Sequence, residues 1–451
     1  MSRRPASGPP ASKKGGPGRD GQGFAARAAA TRLLSAVLDD RQPLDAALES
    51  DTAFARLPAR DKALTRAIVG TALRRHGAIE AALAILIEKR PRGAGMLTRV
   101  LEIAAAQILY MGVADHAAVS VAVDQIAADP DGRHFKGLAN AVLRRMARER
   151  DTLLTTLNAV NLDTPDWLWK RWSAAYGEAT AWGIADAHWL EPCLDLSVKR
   201  DPDVWAERLG GIVLPTGTVR TIASGEITTL PGFDEGAWWI QDAAAALPPK
   251  LFGDLRGKRV IDLCAAPGGK TAALAVAGAD VTAVDVSAQR LERLTANLKR
   301  LSLDATTVAA DALTWMPPEP VDAVLLDAPC TATGTIRRHP DIAWLKEPKD
   351  VASLAELQTR MIARAAAMLK PGGTLVYCTC SLEPEEGEAH LAPTLAHLPL
   401  TLLEVTPDEI GGIAEAITSA GTIRTLPTHL PNPNPRLSGL DGFFVMRLKK
   451  G

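Results

Sequence analysis

The sequence predicts a multi-domain chain: an all-α bundle, then a small α+β insert, then a doubly wound α/β domain with a mostly parallel sheet. Three observations carry this. Apolar residues recur at helical spacing from Phe24 to Arg150, short apolar strands alternate with helical segments after Ala237, and acidic residues close successive strands beside a Gly-rich turn. The chain has 451 residues, 47% of them hydrophobic. That suffices for two or three cores, since domains usually run to about 100–200 residues.

Composition excludes wholesale disorder, collagen and a disulfide scaffold. No run approaches the roughly 18 apolar residues of a membrane span, so no membrane partner is expected. Met1 to Gly23 lacks the apolar stretch of a secretory signal. Five cysteines (Cys193, Cys264, Cys330, Cys378 and Cys380) fit a reducing cytosol, and the expected location is cytoplasmic. The net charge of −1 argues against an indiscriminate nucleic-acid coat. Its distribution is uneven: residues 1–150 hold 24 Lys+Arg against 15 Asp+Glu, and the remainder 27 against 37. A basic front half on an acidic back half predicts that one module meets a polyanion while the other does something else. A solvated surface with chance asymmetry would give the same count.

Residues 1–22 read as a basic, low-complexity, disordered tail. Residues 23–150 read as the helical bundle. Leu97, Val100, Leu101, Ala104 and Ile108 make one stripe, and Val119, Val123 and Ile126 another. Leu138, Val142 and Met146 make a third, opposite Arg144, Arg145, Arg148 and Arg150, and Pro58, Pro91-Arg92-Gly93 and Asp129-Pro130-Asp131-Gly132 separate the helices. Residues 151–236 read as linker helices and the insert, with one Trp-rich helix over Pro165–Trp182 and strand-like pieces at Leu194–Lys199, Gly211–Leu214 and Thr218–Ile222. Residues 237–451 form the doubly wound domain. Its expected strands are Arg259–Leu263, Val281–Val286, Thr306–Ala310, Val321–Asp327, Thr374–Thr379 and Phe443–Leu448.

The first of these strands runs into Asp262-Leu263-Cys264-Ala265-Ala266-Pro267-Gly268-Gly269-Lys270-Thr271, with small residues at every second position: Cys264, Ala266 and Gly268. Such spacing lets a ligand approach the backbone while a helix N-terminus faces it. A phosphate-binding loop, G-x-x-x-x-G-K-[ST], is the competing reading. Gly269-Lys270-Thr271 fits its end, but Cys264 stands at its leading glycine. Two acids decide. Asp285 closes the second strand 23 residues after Asp262, where such sites hold ribose hydroxyls, and Asp311 closes the third, placed for an adenine edge. A pyrophosphate would be repelled by this series, so a ligand without phosphates, S-adenosylmethionine, fits better.

The fourth strand ends in Asp327-Ala328-Pro329-Cys330 and the fifth in Tyr377-Cys378-Thr379-Cys380-Ser381. Ligand sites in open α/β sheets lie at strand carboxyl ends, so Asp327, Cys330 and Cys380 should converge beside the methyl donor. A structural cysteine sits instead as a small hydrophobe, which suits Cys193 and also serves for Cys264 and Cys378. With no C-x-x-C or H-x-x-x-H pair, no metal is expected. A methyltransferase needs a thiol when its target is not nucleophilic. Carbon 5 of a pyrimidine becomes so once a thiolate adds to carbon 6, with a carboxyl group assisting at nitrogen 3 and a base removing the carbon-5 proton before release. Amino-methylating enzymes would carry N-P-P-Y or D-P-P-Y where this chain has Cys330. Spacing does not choose between Pro329-Cys330 and Cys380 as nucleophile.

Asp262 to Thr271, Asp327 to Cys330, Thr379-Cys380-Ser381 and Asp441-Gly442-Phe443-Phe444 together resemble the NOL/NOP/Sun family of RNA cytosine-5 methyltransferases. Leu57 to Asp61, Ala117 to Val123 and Gly137 to Arg145 look like a NusB-type RNA-binding helical domain, and the whole is similar to the bacterial Sun/Fmu-type branch of the family. The resemblance implies that Cys380 attacks carbon 6, that Cys330 assists release and that Asp327 binds the cytosine edge. It implies a Rossmann-like cofactor site built from Cys264, Ala265, Ala266, Pro267, Gly268, Gly269, Lys270, Asp285, Arg290, Asp311 and Asp327. It also implies S-adenosylmethionine as cofactor and 16S ribosomal RNA, or a small-subunit assembly intermediate, as partner of a monomer. Gln241-Asp242 matches the start of the family's catalytic domain. Leu196-Ser197-Val198-Lys199 departs from the insert's usual L-R-V-N, and Arg337-Arg338 are candidate phosphate contacts. Two other classes stay open at this point: an RNA-dependent NTPase on the near-match loop, and a non-catalytic RNA-binding assembly factor.

Overall fold

A computed structural model describes residues 23–157, 160–223 and 225–451, so the basic tail over 1–22 lies outside the described residues. The chain divides into two compact units, the first holding most of the residues up to Leu157 and the second Asn158–Gly451 with two short earlier segments. Among the described residues no helix is long and apolar enough to cross a membrane.

The first unit is helical. Its central helix, Leu97–Tyr110, is buried along almost its whole length and packs against Asp115–Ala128 and Lys136–Arg148. Lys136–Arg148 turns Ala139, Val142, Leu143 and Met146 inward and leaves Arg144, Arg145 and Arg148 exposed, as its 3.6-residue period requires.

In the second unit the expected single Trp-rich helix is two, Asp166–Tyr176 and Glu178–Ala187. Gly177 breaks it at φ 81°, ψ 154°, a conformation that side-chain-bearing residues rarely adopt. The insert is a four-stranded antiparallel sheet of β1 (Leu194–Val198), β2 (Gly211–Val213), β3 (Val219–Thr221) and β4 (Trp238–Ile240), in the order β2-β3-β1-β4. Leu196, Val219, Trp205 and Trp238 form its core, Trp205 coming from the helix Pro202–Arg208.

The large sheet contains β5 (Arg259–Leu263), β6 (Asp280–Asp285), β7 (Thr306–Ala309), β8 (Val321–Asp327), β9 (Leu369–Thr379), β10 (Leu400–Leu402), β11 (Ile423–Thr425) and β12 (Phe443–Lys450). Its order is β10-β12-β9-β8-β5-β6-β7, with β11 also on β12. β5 to β9 pair in parallel, whereas β12 is antiparallel to β9 and takes β10 and β11 antiparallel in turn. The central strands are apolar on both faces because both are covered. Ala323 and Leu325 of β8 pack with Leu274 of the helix Gly269–Val276, while Val324 and Leu326 pack with Met361 and Ile362 of the helix Pro348–Met368. The chain moves outward one way from β5 through β6 to β7 and the other way from β8 to β9. The crevice at such a reversal, outside the carboxyl ends of β5 and β8, is where open α/β sheets bind ligands.

Candidate active site

The turn after β5 is built for close approach. Cys264 sits at φ 59° and Gly268 at φ 101°, and a Cβ on Gly268 would lie 2.7 Å from Leu294 Cγ. Only glycine fits that position, and the next residue opens the helix Gly269–Val276. Asp285, at the end of β6 and 2% exposed, braces the turn: one oxygen accepts the Ala266 N–H at 3.1 Å, the other the Ser287 N–H at 3.0 Å. Arg290 pairs with Asp285 at 3.4 Å and reaches the Ala266 carbonyl. Beneath the turn Asp262 is fully buried. One oxygen accepts from the Thr271 hydroxyl at 2.6 Å and the other has no hydrogen-bond partner, and burial pushes its carboxyl up to about 7.

Two cavities flank the turn. The first, about 310 Å³, is lined by Cys264, Asp285, Arg290 and Asp311 over an apolar floor that includes Val284 and Met361. Two carboxylates at successive strand ends above apolar walls suit a nucleoside that offers hydroxyls and an amine edge. They do not suit a pyrophosphate, because the basic lining residue, Arg290, is already paired with Asp285. The second cavity, about 490 Å³, is lined by Ala265, Pro267, Gly268, Gly269, Lys270 and Asp327 on the sheet side, and by Trp239, Gln241 and Arg338 among others opposite. Ala266, buried between them, lines neither.

Lys270 Nζ lies 2.7 Å from Asp327 Oδ2. Burial works against the ammonium, but Asp327 outweighs it and holds the proton past the usual lysine range. The lysine is therefore engaged by a carboxylate and not free for phosphates, which removes the support that the near-match to a phosphate-binding loop had offered. Cys378 donates to the other Asp327 oxygen at 3.4 Å; it is buried in the sheet core, and burial pushes its thiol up.

Cys330 and Cys380 meet at a distance of 3.5 Å between sulfurs, both half-buried, where the β8 and β9 ends lie side by side. The Cys330 thiol is held well above the ordinary range, first by its hydrogen bond with Cys380 and then by burial. Cys193 is buried and free of disulfide.

The structure separates other expectations. Arg337 is not placed as a phosphate contact: it is 4% exposed and pairs with Asp242 and, at 2.8 Å, with Asp441. Arg338 shares Asp441 but lines the larger cavity. Lys199, in the departing insert segment, hydrogen-bonds the Leu301 carbonyl just past the helix Ala288–Arg300 and so closes that helix end. Sequence reasoning missed Glu386, fully buried beside both cysteine segments, because nothing in the run Glu383-Pro384-Glu385-Glu386-Gly387-Glu388 sets one acid apart.

Residues 253–449 match the family model described as 16S rRNA methyltransferase RsmB/F, and residues 25–148 match the NusB family. Over 397 residues the chain is 36% identical to ribosomal RNA small subunit methyltransferase B of Vibrio vulnificus, spanning 84% of this chain and 92% of that one. Over 330 residues it is 41% identical to the protein of the same name from Salmonella arizonae, spanning 68% and 75%. Among solved structures it is similar to PH0851, with TM-score 0.73 and 23% identity over 95% of this chain and 99% of that one, a likeness of fold alone. It is also similar to a methyltransferase homolog protein from Pyrococcus horikoshii, with TM-score 0.50 and 28% identity over 62% and 94%.

Proposed function

The chain belongs to the family of 16S rRNA methyltransferases RsmB/F, and from that premise we propose that it methylates carbon 5 of a cytosine in 16S ribosomal RNA through a covalent cysteine adduct. The observation that carries this reading is the pair of sulfurs 3.5 Å apart at two adjacent strand ends, with the paired Lys270 and Asp327 at the same edge of the sheet. A methyltransferase acting on an amine or hydroxyl has no use for two thiols there.

Asp285 and Asp311, with Cys264 and Arg290 around the smaller cavity, would hold S-adenosylmethionine, which when bound would supply an electrophilic methyl group. The protein's own residues do the rest. Cys380 adds as thiolate to carbon 6, forming a sulfur–carbon bond and moving the ring's π pair to carbon 5. Cys330, whose thiol is held above the ordinary range first by its hydrogen bond with Cys380 and then by burial, can donate its S–H to the attacking sulfur 3.5 Å away. Asp327, its charge balanced by Lys270, accepts from the exocyclic amine of the cytosine, and from nitrogen 3 once that nitrogen takes a proton from solvent as the adduct forms. After transfer the carbon-5 proton leaves to a base, the electron pair returns to the ring and the Cys380–carbon bond breaks, with Cys330 assisting release. The first unit positions the RNA: its exposed Arg144, Arg145 and Arg148 line one helix face and suit phosphate contacts that hold RNA without reading bases. The target base must be unstacked or single-stranded to enter.

A covalent trap tests this. Wild type, Cys330→Ala and Cys380→Ala are each mixed with unmodified 16S RNA and labelled S-adenosylmethionine and run on a denaturing gel. Cys330→Ala should accumulate a slow-migrating protein–RNA adduct and Cys380→Ala none. The reverse pattern would make Cys330 the nucleophile. Full methylation by Cys380→Ala would remove Cys380 as nucleophile, and with it the two-cysteine mechanism, and leave the family assignment standing.

A further inference from the structure

We propose that Glu386 is the positioning residue that sets the spacing of Cys330 and Cys380; this rests on the two-cysteine reading above. Its side chain is fully buried, and four donors converge on its two oxygens. Oε1 accepts the Thr331 N–H at 2.9 Å and the Gln358 amide at 3.1 Å. Oε2 accepts the Ser381 hydroxyl at 2.5 Å and the Thr331 hydroxyl. Thr331 follows Cys330 and Ser381 follows Cys380, so one carboxylate grips both cysteine segments a single residue beyond each sulfur.

The surroundings fix the carboxylate in turn. Its backbone carbonyl accepts the Tyr377 hydroxyl at 2.8 Å and the Thr379 hydroxyl at 3.0 Å, both from the end of β9. Gln358 also donates to the Pro329 carbonyl at 2.8 Å, the residue before Cys330, and its own oxygen meets His390 Nε2 at 3.0 Å. Burial raises the carboxyl, but the Ser381 and Thr331 hydrogen bonds favour the ionised form. An acceptor-only group is what four donors need. Glutamine at this position keeps one acceptor oxygen. Its N–H₂ would either oppose the Thr331 N–H and the Gln358 amide, or face the Ser381 and Thr331 hydroxyls and make both turn their protons elsewhere, so the carboxylate's grip on both segments is lost. The direct ties between the segments, Thr331 Oγ1 to Ser381 Oγ at 3.1 Å and the Gly334 N–H to the Cys380 carbonyl at 3.0 Å, would remain. The shared grip beside the sulfurs would loosen, and attack at carbon 6 and release depend on both sulfurs reaching one base. A purely structural buried acid would lower stability when changed and leave the sulfur spacing as it was.

The experiment reads that spacing directly. Phenylarsine oxide bridges two nearby thiols: two arsenic–sulfur bonds form, and the oxide oxygen leaves as water with the two thiol protons. Its affinity is measured for the full-length wild type, Glu386→Gln and Ser381→Ala, with Cys330→Ala as the control that cannot be bridged at this pair. Thermal melts and methylation kinetics are run alongside. In folded Glu386→Gln the arsenical should bind about tenfold more weakly and kcat should fall about tenfold or more, with KM for S-adenosylmethionine within about twofold. Ser381→Ala should move both in the same direction by less. Unchanged arsenical affinity in folded Glu386→Gln overturns the proposal; if that variant does not fold, unchanged affinity and kcat in Ser381→Ala overturn it. The failure of the two-cysteine reading looks different: Cys380→Ala would keep methylating RNA, while arsenical affinity would still report the spacing.

Discussion

Lys270 and Asp327 face each other at 2.7 Å across the crevice between the ends of β5 and β8, with side-chain exposures of 11% and 31%. The lysine comes from the helix that follows the Gly-rich turn and the acid from the strand that starts the return half of the sheet. The pair therefore joins the two halves at the point where a base would enter. Lys270→Met keeps the aliphatic stem and removes the charge, which leaves Asp327 without its counter-ion. Methylation at saturating cofactor should fall about 100-fold, equivalent to ~2.7 kcal/mol of lost transition-state stabilisation. Lys270→Arg should not restore it, because a planar fork does not fit a site shaped for a compact ammonium. Initial rates within threefold of wild type in Lys270→Met would show that the pair is only structural.

Gly268 makes a prediction about the turn alone. Its φ of 101° and the 2.7 Å approach of Leu294 Cγ to a built Cβ leave no room for a side chain. Gly268→Ala must shift the turn or Leu294, and should lower stability by about 1–3 kcal/mol. The turn borders both cavities, so S-adenosylhomocysteine affinity should drop as well. Calorimetric titration and a thermal melt on the same sample check both; a variant that loses neither would mean that the turn is more pliable than its packing implies.

The parallel strands were legible in the sequence because a strand covered on both faces is a near-continuous apolar run, and β5 and β8 match their expected bounds. β10, β11 and β4 were not: three residues carry little pattern by themselves, and these lack an intervening turn such as the Pro215-Thr216-Gly217 that marks the equally short β2 and β3. The split of the Trp-rich helix at Gly177 was missed because the apolar spacing continues across it. In the site, acids at strand ends could be read directly: once a strand is placed, so is its last residue, and Asp285 and Asp311 do face one cavity. Pairings across long sequence separations leave no local mark. Arg337 meets Asp242 from 95 residues away and Asp441 from 104, so a loop arginine that looked solvent-facing is a buried tie.

Asp262 predicts a pH dependence of stability. Burial raises its folded-state value to about 7 from an ordinary 3.8. Between those two values the folded state binds more protons than the unfolded one, so this group's contribution is full below about pH 4 and is lost as pH rises towards 7. The loss is on the order of a few kcal/mol for a fully buried carboxyl. Asp262→Asn should keep an acceptor for Thr271 and remove the titration, so its stability relative to wild type should rise between pH 4 and 7 and level off above. Urea unfolding at pH 4.5, 5.5, 6.5 and 7.5 measures it. A constant difference across that window would mean that Asp262 ionises normally in the folded protein.

Arg337 and Arg338 are neighbours in sequence with opposite expected consequences. Arg337 is 4% exposed and ties Asp242, just after β4, to Asp441 before β12; both acids are buried as well. Arg337→Met leaves Asp441 with Arg338 but strands the buried Asp242, and should cost about 3–5 kcal/mol of stability, seen as a fall in melting temperature. In whatever fraction folds, the salt dependence of RNA binding should be that of wild type. Arg338 keeps 32% side-chain exposure and lines the larger cavity, and Arg337 remains to satisfy Asp441 if it is removed. Arg338→Met should therefore melt close to wild type yet bind RNA more weakly, with the slope of log K against log salt shallower by about 1 if the guanidinium meets a phosphate. A slope change in Arg337→Met, or an unchanged slope with a large melting shift in Arg338→Met, would reverse the two assignments.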